Sequence, residues 1–561
     1  MLSLSNRSRH RGLPPPSILM LFLSLANGSL ALTISSSKEG STVPSRVVSA
    51  STANTDSYID YLKAFELAET GSKPAAFQLL AESLRLNPHN LAASRLAFRL
   101  LTEQRANTTL RLQGHTGVMT SASYSRDGAK ILTTATDHTA RVWDSRTGIQ
   151  LTPSMDHDDE VVTGVFSRDG KRIATGTDGG KIAIWDVSTG KRLVSSMELS
   201  GSAWSVGFSP DGNIIAASSD AGKTRTWNAA TGTPLSPLIE YHESAYQVSF
   251  SSDGKSLLIA TGDNYADVRD PRTGALISRL RRSNSIYTAQ FSPDDKRIVT
   301  ACADSTAEIW DAQSGIPTGI VLSHGFKVGS AEFNNDASLI VTASKDHTAR
   351  IWNANNNKLT VSPLQHPAPV GRASFSPDSR LVATVAGDKA VRLWDTLSGD
   401  QIQLPIVTSG GSPYFSFSPD GLSLLIAGGS SGFVLDLPPN DEAPSWLADL
   451  LDFASTLNNV DQSRKSDLVR IESIRVELNG KKPDDQWTIF GKWYFTAITQ
   501  RHISPWSHLS LEAYVNLLIE RGDRSSLEYA KAISRPFPSW LAKVNSSLAK
   551  LPPEQPLGQK R

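Results

Sequence analysis

Serine, histidine and aspartate, the residues of a hydrolytic triad, recur together through the middle of the chain. In GHTGVMTSASYSRDG, for example, His115 precedes several serines and Asp127. A nucleophilic serine with its histidine and aspartate occurs once in an enzyme, because one set of groups must be aligned on one reacting bond. Here the same residue types return with a fixed period. We therefore interpret them as structural and predict no catalytic residues.

One dense group of metal-ligand residue types occurs at residues 156–160, Asp-His-Asp-Asp-Glu. Carboxylate oxygens and an imidazole could together bind a divalent cation. However, His157 lies where histidine recurs with the repeat, and acidic loops are usually only solvated. We predict no metal site. The single cysteine, Cys302, permits neither an intramolecular disulfide nor a Cys-rich zinc site.

Motifs for phosphoryl transfer and for nucleic-acid binding are missing from the sequence. It contains no complete Walker-type phosphate loop and no His-Arg-Asp loop. The 56 Lys and Arg residues almost balance the 55 Asp and Glu residues, so no overall field attracts nucleic acid. The group Arg279, Arg281 and Arg282 is too small for a phosphate-tracking face, and we expect a solvated loop there.

An aromatic residue followed three positions later by an aspartate returns eight times, at spacings of 41 or 42 residues. Within each period, short β-type runs alternate with Asp-Gly turns, which predicts four antiparallel strands. A lone four-stranded sheet would leave its faces and edges open, so copies stacked around an axis are the stable solution. We therefore predict a mainly β fold, an eight-bladed β-propeller over residues 108–437 with α-helical flanking segments. The repeating aromatic residues are Tyr124, Phe166, Phe208, Phe250, Phe291, Phe333, Phe375 and Phe417.

Six of the repeats end in Trp-Asp or Trp-Asn, and GHTGVMTSASYSRDG is similar to the start of a WD repeat. The chain thus resembles WD-repeat (β-transducin-like) propeller proteins of the bacterial type. The resemblance implies a hydrogen-bonded structural network of a histidine, a turn aspartate and a strand tryptophan. Arg269 and Leu435 replace the tryptophan in the fourth and eighth repeats. The residues matching the network are His115, Asp137 and Trp143, then His324, Asp346 and Trp352, then His366, Asp388 and Trp394.

The eighth repeat has no fourth strand of its own, because GFVLDL runs directly into PPNDEAPSW and proline interrupts strand pairing. The missing strand must come from elsewhere in the chain. We expect it from Thr108 to Gln113, which precedes the first repeat and occupies the place of a fourth strand. The two ends of the propeller would then be joined.

Helical periodicity flanks the propeller on both sides. Residues 56–106 resemble one and a half tetratricopeptide repeats, with Ala76, Leu80 and Pro88 at favoured positions. The helical periodicity of residues 444–561 predicts a helical C-terminal module. Its ISPWS and LEAYV segments resemble the C-terminal extension of bacterial WD-repeat proteins whose relatives often carry a serine/threonine kinase domain.

The amino end has a basic stretch, an apolar run from Ile18 to Ala26, and then small residues. This order predicts a signal peptide over residues 1–31, with an uncleaved membrane anchor as the alternative. A disordered linker rich in Ser and Thr is expected over residues 32–55. We therefore expect a protein located outside the cytoplasm, periplasmic or secreted, whose only membrane contact is this N-terminal segment.

Three consecutive repeats place a large aromatic residue four positions before the repeating phenylalanine: Trp204, Tyr246 and Tyr287. We predict that they form a partner-binding surface, and channel filling is the alternative. The expected function is a non-catalytic scaffold that binds a protein or peptide and needs no cofactor. The alternative is a secreted, eight-bladed, quinone-dependent dehydrogenase, although the neighbouring cysteines of that class are impossible here.

Overall fold

The computed structural model describes residues 19–26, 29–36, 46–47, 52–105, 110–439 (without 403, 404, 409 and 412), 443–456, 465–496 (without 484) and 501–551 (without 508). Strands β1 (Leu19–Ala26), β2 (Ser29–Ser36) and β3 (Arg46–Val47) form a small antiparallel sheet. The basic stretch of the predicted signal segment lies outside the described residues, as does most of the predicted linker. Within the described part of the chain, no helix is both long and apolar enough to cross a membrane.

Eight four-stranded antiparallel sheets follow, so the predicted eight-bladed β-propeller is confirmed. The strands of each blade are given from the inner strand outwards. Blade 1 consists of β5 (Met119–Tyr124), β6 (Lys130–Ala135), β7 (Thr139–Asp144) and β8 (Met155–Asp156), and blade 2 of β9 (Val161–Phe166), β10 (Arg172–Thr177), β11 (Lys181–Asp186) and β12 (Arg192–Glu198). Blade 3 consists of β13 (Ala203–Phe208), β14 (Ile214–Ser219), β15 (Lys223–Asn228) and β16 (Ile239–Glu240), and blade 4 of β17 (Ala245–Phe250), β18 (Leu257–Thr261), β19 (Tyr265–Arg269) and β20 (Leu276–Arg281).

Blades 5 to 7 follow the same order. Their strands are β21 (Ile286–Phe291), β22 (Arg297–Cys302), β23 (Thr306–Asp311) and β24 (Pro317–Ser323); β25 (Val328–Phe333), β26 (Leu339–Ser344), β27 (Thr348–Asn353) and β28 (Leu364–Gln365); β29 (Val370–Phe375), β30 (Leu381–Ala386), β31 (Ala390–Asp395) and β32 (Ile406–Val407). Apolar side chains of neighbouring blades pack against each other, as where Ile184 and Val194 of blade 2 meet Val206 and Ile215 of blade 3.

Blade 8 is built from both ends of the propeller. Its inner three strands are β33 (Tyr414–Phe417), β34 (Ser423–Gly428) and β35 (Ser431–Asp436), and its outer strand is β4 (Leu110–Gln113). Strand β4 pairs antiparallel with β35, with Leu112 opposite Gly432. The predicted ring closure is confirmed for these four residues, whereas Thr108 and Thr109 lie outside the described part of the chain. We call the junction of blades 8 and 1 the seam.

The helices before and after the propeller share one apolar core. Helices α1 (Thr52–Glu69), α2 (Lys73–Leu86) and α3 (Leu91–Arg105) precede the ring, and α4 (Ser445–Thr456), α5 (Lys465–Gly480) and α6 (Gln486–Phe495) follow it. Phe98 of α3 packs on Phe490 of α6, with ring centroids 4.9 Å apart. The two flanking segments therefore form a single bundle, which is joined to blade 7 by a buried ion pair between Arg95 and Asp395.

The last three helices, α7 (Leu511–Arg521), α8 (Arg524–Ser534) and α9 (Pro538–Leu548), cover the outer strand at the seam. Leu110 and Leu112 of β4 belong to the same buried cluster as Tyr514 and Leu518 of α7. The guanidinium of Arg111 also lies over the ring of Tyr529, 4.6 Å from its centroid. Strand β4 is thus held between blade 8 and the C-terminal helices.

Candidate functional site

The side chains of Trp204, Tyr246 and Tyr287 lie on the adjacent inner strands β13, β17 and β21. At each of them the strand pairing shifts by one residue, for example between Ala203 and Ser205. Each aromatic residue is therefore the extra residue of a β-bulge. Because a bulge turns its extra residue away from the regular alternation of the strand, all three side chains are directed alike at the channel mouth where the inner strands begin.

The three rings form one continuous surface, which we call the aromatic arc. Trp204 stacks on Tyr246 with ring centroids 5.7 Å apart and an interplanar angle of 16°. Tyr246 in turn meets Tyr287 edge to face at 5.5 Å. Both geometries are favourable for aromatic pairs. Trp204 remains 41% exposed, so the arc is open to solvent at its Trp204 end.

The other five blades carry smaller side chains at the equivalent position. A Cβ added to Gly329 would lie 3.2 Å from the carbonyl oxygen of Gly371, so the inner strands of blades 6 and 7 approach closely there. Thr120 of blade 1 bonds to the hydroxyl of Thr134, 2.8 Å away, inside its own blade. At this position of the inner strands, only blades 3 to 5 therefore carry an aromatic residue. The five equivalent residues are Thr120, Val162, Gly329, Gly371 and Pro413.

The loop before β17 positions the middle ring of the arc. Asp263 accepts hydrogen bonds from the backbone N–H groups of His242 (2.9 Å) and Glu243 (2.7 Å). A Cβ added to Gly262 would lie 2.6 Å from the Glu243 Cβ and 3.5 Å from the Tyr246 hydroxyl. Burial raises the pKa of Tyr246, and the neighbouring Tyr287 and Glu243 raise it further. The tyrosine therefore stays neutral and can donate a hydrogen bond.

In blade 1 the structure brings the three expected network residues together through a threonine. His115 Nδ1 lies 2.9 Å from Asp137 Oδ2, and His115 Nε2 lies 2.8 Å from the hydroxyl of Thr133. Trp143 Nε1–H donates to the same hydroxyl, also at 2.8 Å. Sequence reasoning missed Thr133, although a threonine stands at this strand position in several repeats. The matching contacts of blade 6 join His324, Thr342, Asp346 and Trp352.

Among the described residues of blade 7, the expected contact between His366 and Asp388 is not made. His366 Nδ1–H donates instead to the carbonyl oxygen of Leu364, 2.9 Å away. Asp388 pairs with Arg392, four residues along the chain. The prediction of this His–Asp contact was therefore wrong. In blade 6, by contrast, Asp346 contacts both Arg350 and His324. Trp394 keeps its hydrogen bond to the strand threonine, at 2.9 Å.

These histidines are uncharged at neutral pH. Burial lowers the pKa of His157, His324 and His366 to about 4 each, and it also lowers the pKa of His115. For Asp137, burial acts against ionisation, but hydrogen bonds from Thr139, the Thr116 N–H and His115 lower its pKa to about 2. Both ring nitrogens of each imidazole contact neighbouring protein groups, as in a structural residue: one contacts the strand threonine, and the other contacts a turn aspartate or the carbonyl oxygen two residues earlier.

Comparison with known proteins agrees with this architecture. A family model described as the IFT122 first beta-propeller matches residues 118–395. The crystal structure of the computationally designed Ika8 protein is similar, with a TM-score of 0.52 and 22% identity over 59% of this chain and 100% of that one. The C-terminal WD40 domain of Sif2 gives a TM-score of 0.52 and 19% identity over 59% and 98%. A comparison with curated proteins gave no match.

The chain contains a WD40-like β-propeller. The matched region begins one residue before the inner strand of blade 1 and ends at the last residue of β31 in blade 7. At these identities the solved structures show the fold alone.

Blade 4 of this WD40-like propeller replaces the histidine network by buried charges. Asp267 is fully buried and accepts hydrogen bonds from Arg269 (2.6 Å) and Arg279 (2.7 Å). The hydroxyl of Tyr241 also lies 3.1 Å from Asp267. Arg269, which stands at the tryptophan position, thus shares the carboxylate of Asp267 with Arg279 inside its blade. A sequence signal existed, since an aspartate two residues before Arg269 is an unusual polar pair for a buried strand.

The predicted basic loop is not a loop. Arg279 and Arg281 belong to strand β20, and Arg282 forms ion pairs with Asp304 and Glu308. The expectation of a solvated loop was therefore wrong, because buried carboxylates of blades 4 and 5 bind two of the three guanidinium groups. Within the described residues, no group of three or more His, Cys, Asp or Glu side chains could hold a metal ion.

Proposed function

We propose that this protein is a non-catalytic interaction scaffold, which holds a protein or peptide partner at the aromatic arc of Trp204, Tyr246 and Tyr287. The observation that carries the proposal is the arc itself: three β-bulges on adjacent strands direct three rings to one channel mouth. Aromatic residues dominate the energetic centres of protein interfaces. WD40-like propellers generally bind protein partners, which supports the same function.

Two features favour a contact surface over channel filling. The rings pack on one another, and Trp204 keeps 41% of its surface exposed, whereas a filler residue would be enclosed. The facing positions carry small or aliphatic side chains, which leaves room for a partner's side chain opposite the rings. The proposal includes no cofactor and no nucleic acid. The neutral, internally bonded histidines support a non-catalytic role.

The test is to replace each arc residue by alanine and to measure partner capture and melting temperature together. Loss of an interface anchor should weaken capture by at least about 2 kcal/mol, or roughly 30-fold, while the melting temperature changes little. Tyr414→Ala is the matched control, because Tyr414 is an equally exposed aromatic residue of an inner strand outside the arc, in blade 8. An arc variant that is destabilised but captures its partner normally would assign the rings to channel filling.

The same proposal covers the cellular location of the protein and its closer relationship to other WD-repeat proteins. We place the protein outside the cytoplasm, with residues 1–31 as a cleaved signal or an anchor, on the basic, apolar and small-residue order. We assign it to bacterial-type WD-repeat proteins with tetratricopeptide-like helices before the propeller, on the residue matches given above. N-terminal sequencing of the native protein tests the location. A cytosolic chain that still begins at Met1 would disprove it.

A further inference from the structure

A cavity of about 270 Å³ lies at the seam, between the turns of blades 8 and 1 and the loop 503–507 that precedes α7. Apolar side chains such as Leu110, Val434 and Ile489 form part of its wall. We call it the seam cavity. The polar groups that matter for its chemistry are Tyr124, Asp420, Asp436, Ser504 and Trp506.

Asp436 is an aspartate whose usual partners are missing. The strand register places it at the same position as Asp144 of blade 1, whose carboxylate accepts hydrogen bonds from the N–H groups of Arg146 (3.1 Å) and Thr147 (2.8 Å). Those donors belong to the turn into the outer strand. In blade 8 the chain leaves the sheet after β35 and makes no such turn, so the partner of Asp436 is the hydroxyl of Ser504.

Tyr124 carries a hydroxyl where the other seven repeats have phenylalanine. Among the described residues this buried hydroxyl has no hydrogen-bond partner, and neither does the buried indole N–H of Trp506. The hydroxyl lies within electrostatic reach of Asp420 and Asp436. Buried polar groups in proteins are normally hydrogen-bonded, so a partner in this cavity would have two polar groups to bond with, the Tyr124 hydroxyl and the Trp506 N–H.

The charge of the cavity wall determines what that partner is. Asp127 and Asp420 are already held in their turns, each by a serine hydroxyl at 2.6 Å and a backbone N–H at 3.0 Å. Arg146 is the one basic residue of the wall, and it is exposed. The wall therefore has three carboxyl groups and one exposed guanidinium, which favours a cationic partner, but among the described residues it lacks the three ligands that a metal ion would need.

We propose that the seam cavity binds a small organic ammonium ion. The Asp436 carboxylate accepts one N–H of the ammonium group, and the Tyr124 hydroxyl accepts a second. The aliphatic part of the ligand lies against Leu110, Val434 and Ile489. The Trp506 N–H remains available for an acceptor atom on the ligand.

Binding should depend on pH in a defined direction. Burial raises the pKa of Asp436 to about 7, opposed by the Ser504 hydroxyl. An ammonium ion needs the ionised carboxylate, so below this pKa its binding must displace a proton. Affinity should then fall about tenfold for each pH unit below 7. The other ionisable groups facing Asp436 are Asp420, Asp127, Tyr124 and Arg146.

The experiment titrates the full chain with ethylammonium, propylammonium and butylammonium chloride at pH 8 and pH 5, by calorimetry. Ethanol, propan-1-ol and butan-1-ol are the matched neutral probes. We expect at least one amine to bind at pH 8 when its alcohol does not, and to bind about a hundredfold more weakly at pH 5. If no amine binds better than its alcohol, the cavity holds only water and the proposal fails.

Two substitutions test whether the amine binds in the cavity, and each introduces a residue that other repeats have at the same position. Asn228 and Asn353 stand at the position of Asp436 in other blades, so Asp436→Asn should fold and abolish amine binding. Tyr124→Phe, which restores the residue of the other repeats, should weaken it. Asp270→Asn is the control, since Asp270 has the same repeat position in blade 4 and should leave binding unchanged. Amine binding that survives in Asp436→Asn would overturn the assignment.

Discussion

Replacing Leu112 by alanine tests whether the ring is held closed by strand β4. Leu112 is fully buried between β35 and the C-terminal helices, and a Cβ at Gly432 would lie only 3.4 Å from its Cδ1. Leucine-to-alanine changes in cores cost 2 to 5 kcal/mol, and sites that cannot collapse lie near the upper end. Because Leu112 is enclosed on both sides, we expect a loss of about 4 kcal/mol in the free energy of unfolding.

Leu280→Ala is the matched control for this change. Leu280 occupies the same position of the outer strand in blade 4 and is also fully buried, but its blade is continuous in sequence. Both substitutions should lower the free energy of unfolding by a similar amount, because each removes a buried leucine side chain and leaves a cavity. Only Leu112→Ala should expose the edge of β35, which hydrogen exchange would detect as faster exchange over Ser431–Asp436 and light scattering as aggregation. Equal exchange of β35 in the two variants would refute the reasoning.

Three further outcomes are expected. Because the folded-state pKa of three histidines is about 4, below the ordinary 6.5, the unfolded chain takes up protons first as pH falls from 6.5 to 4. The free energy of unfolding should therefore decrease between pH 6.5 and pH 4, by at most about 3 kcal/mol per histidine. Asp436 acts in the opposite direction, because its raised pKa lets the folded chain take up a proton first. A free energy of unfolding that stays constant with pH in denaturant titrations would contradict this. Arg95→Ala leaves the buried Asp395 without its cation and should cost about 3 kcal/mol in thermal unfolding, whereas no loss would show that the pair is dispensable. A chain beginning at Gly114 should aggregate, unlike one beginning at Asp56, and equal melting as monomers would disprove closure by β4.

The propeller could be predicted because its signal is repeated eight times. The aromatic and aspartate spacing persists where Arg269 and Leu435 replace the tryptophan, so losing one network residue does not hide a blade. The closing strand could also be predicted, because prolines after GFVLDL leave blade 8 one strand short. Both inferences needed only local patterns and their count.

The contacts between distant segments were beyond such reasoning. Nothing in the local pattern around Phe98 indicates that it packs on Phe490, because the two belong to separate helical stretches at opposite ends of the propeller. The bulge at Trp204 was likewise invisible, although the position of Trp204 on the inner strand was predicted. Side-chain geometry, which the sequence does not give, decides the contact at Asp388: blade 6 has an arginine at the same position, Arg350, and keeps its His–Asp contact.

Strand β4 also imposes an order on biosynthesis. The ribosome completes Gln113 about 300 residues before its partner Ser431, a delay of roughly 15 to 60 s at ordinary elongation rates. Throughout that interval, strand β4 lacks its partner β35, and helix α3 lacks its partner α6. The apolar side chains of Phe98 and Leu112 are therefore exposed to solvent during this time. Exposed apolar surface of this kind promotes aggregation, and the nascent chain carries it until its last quarter has been made.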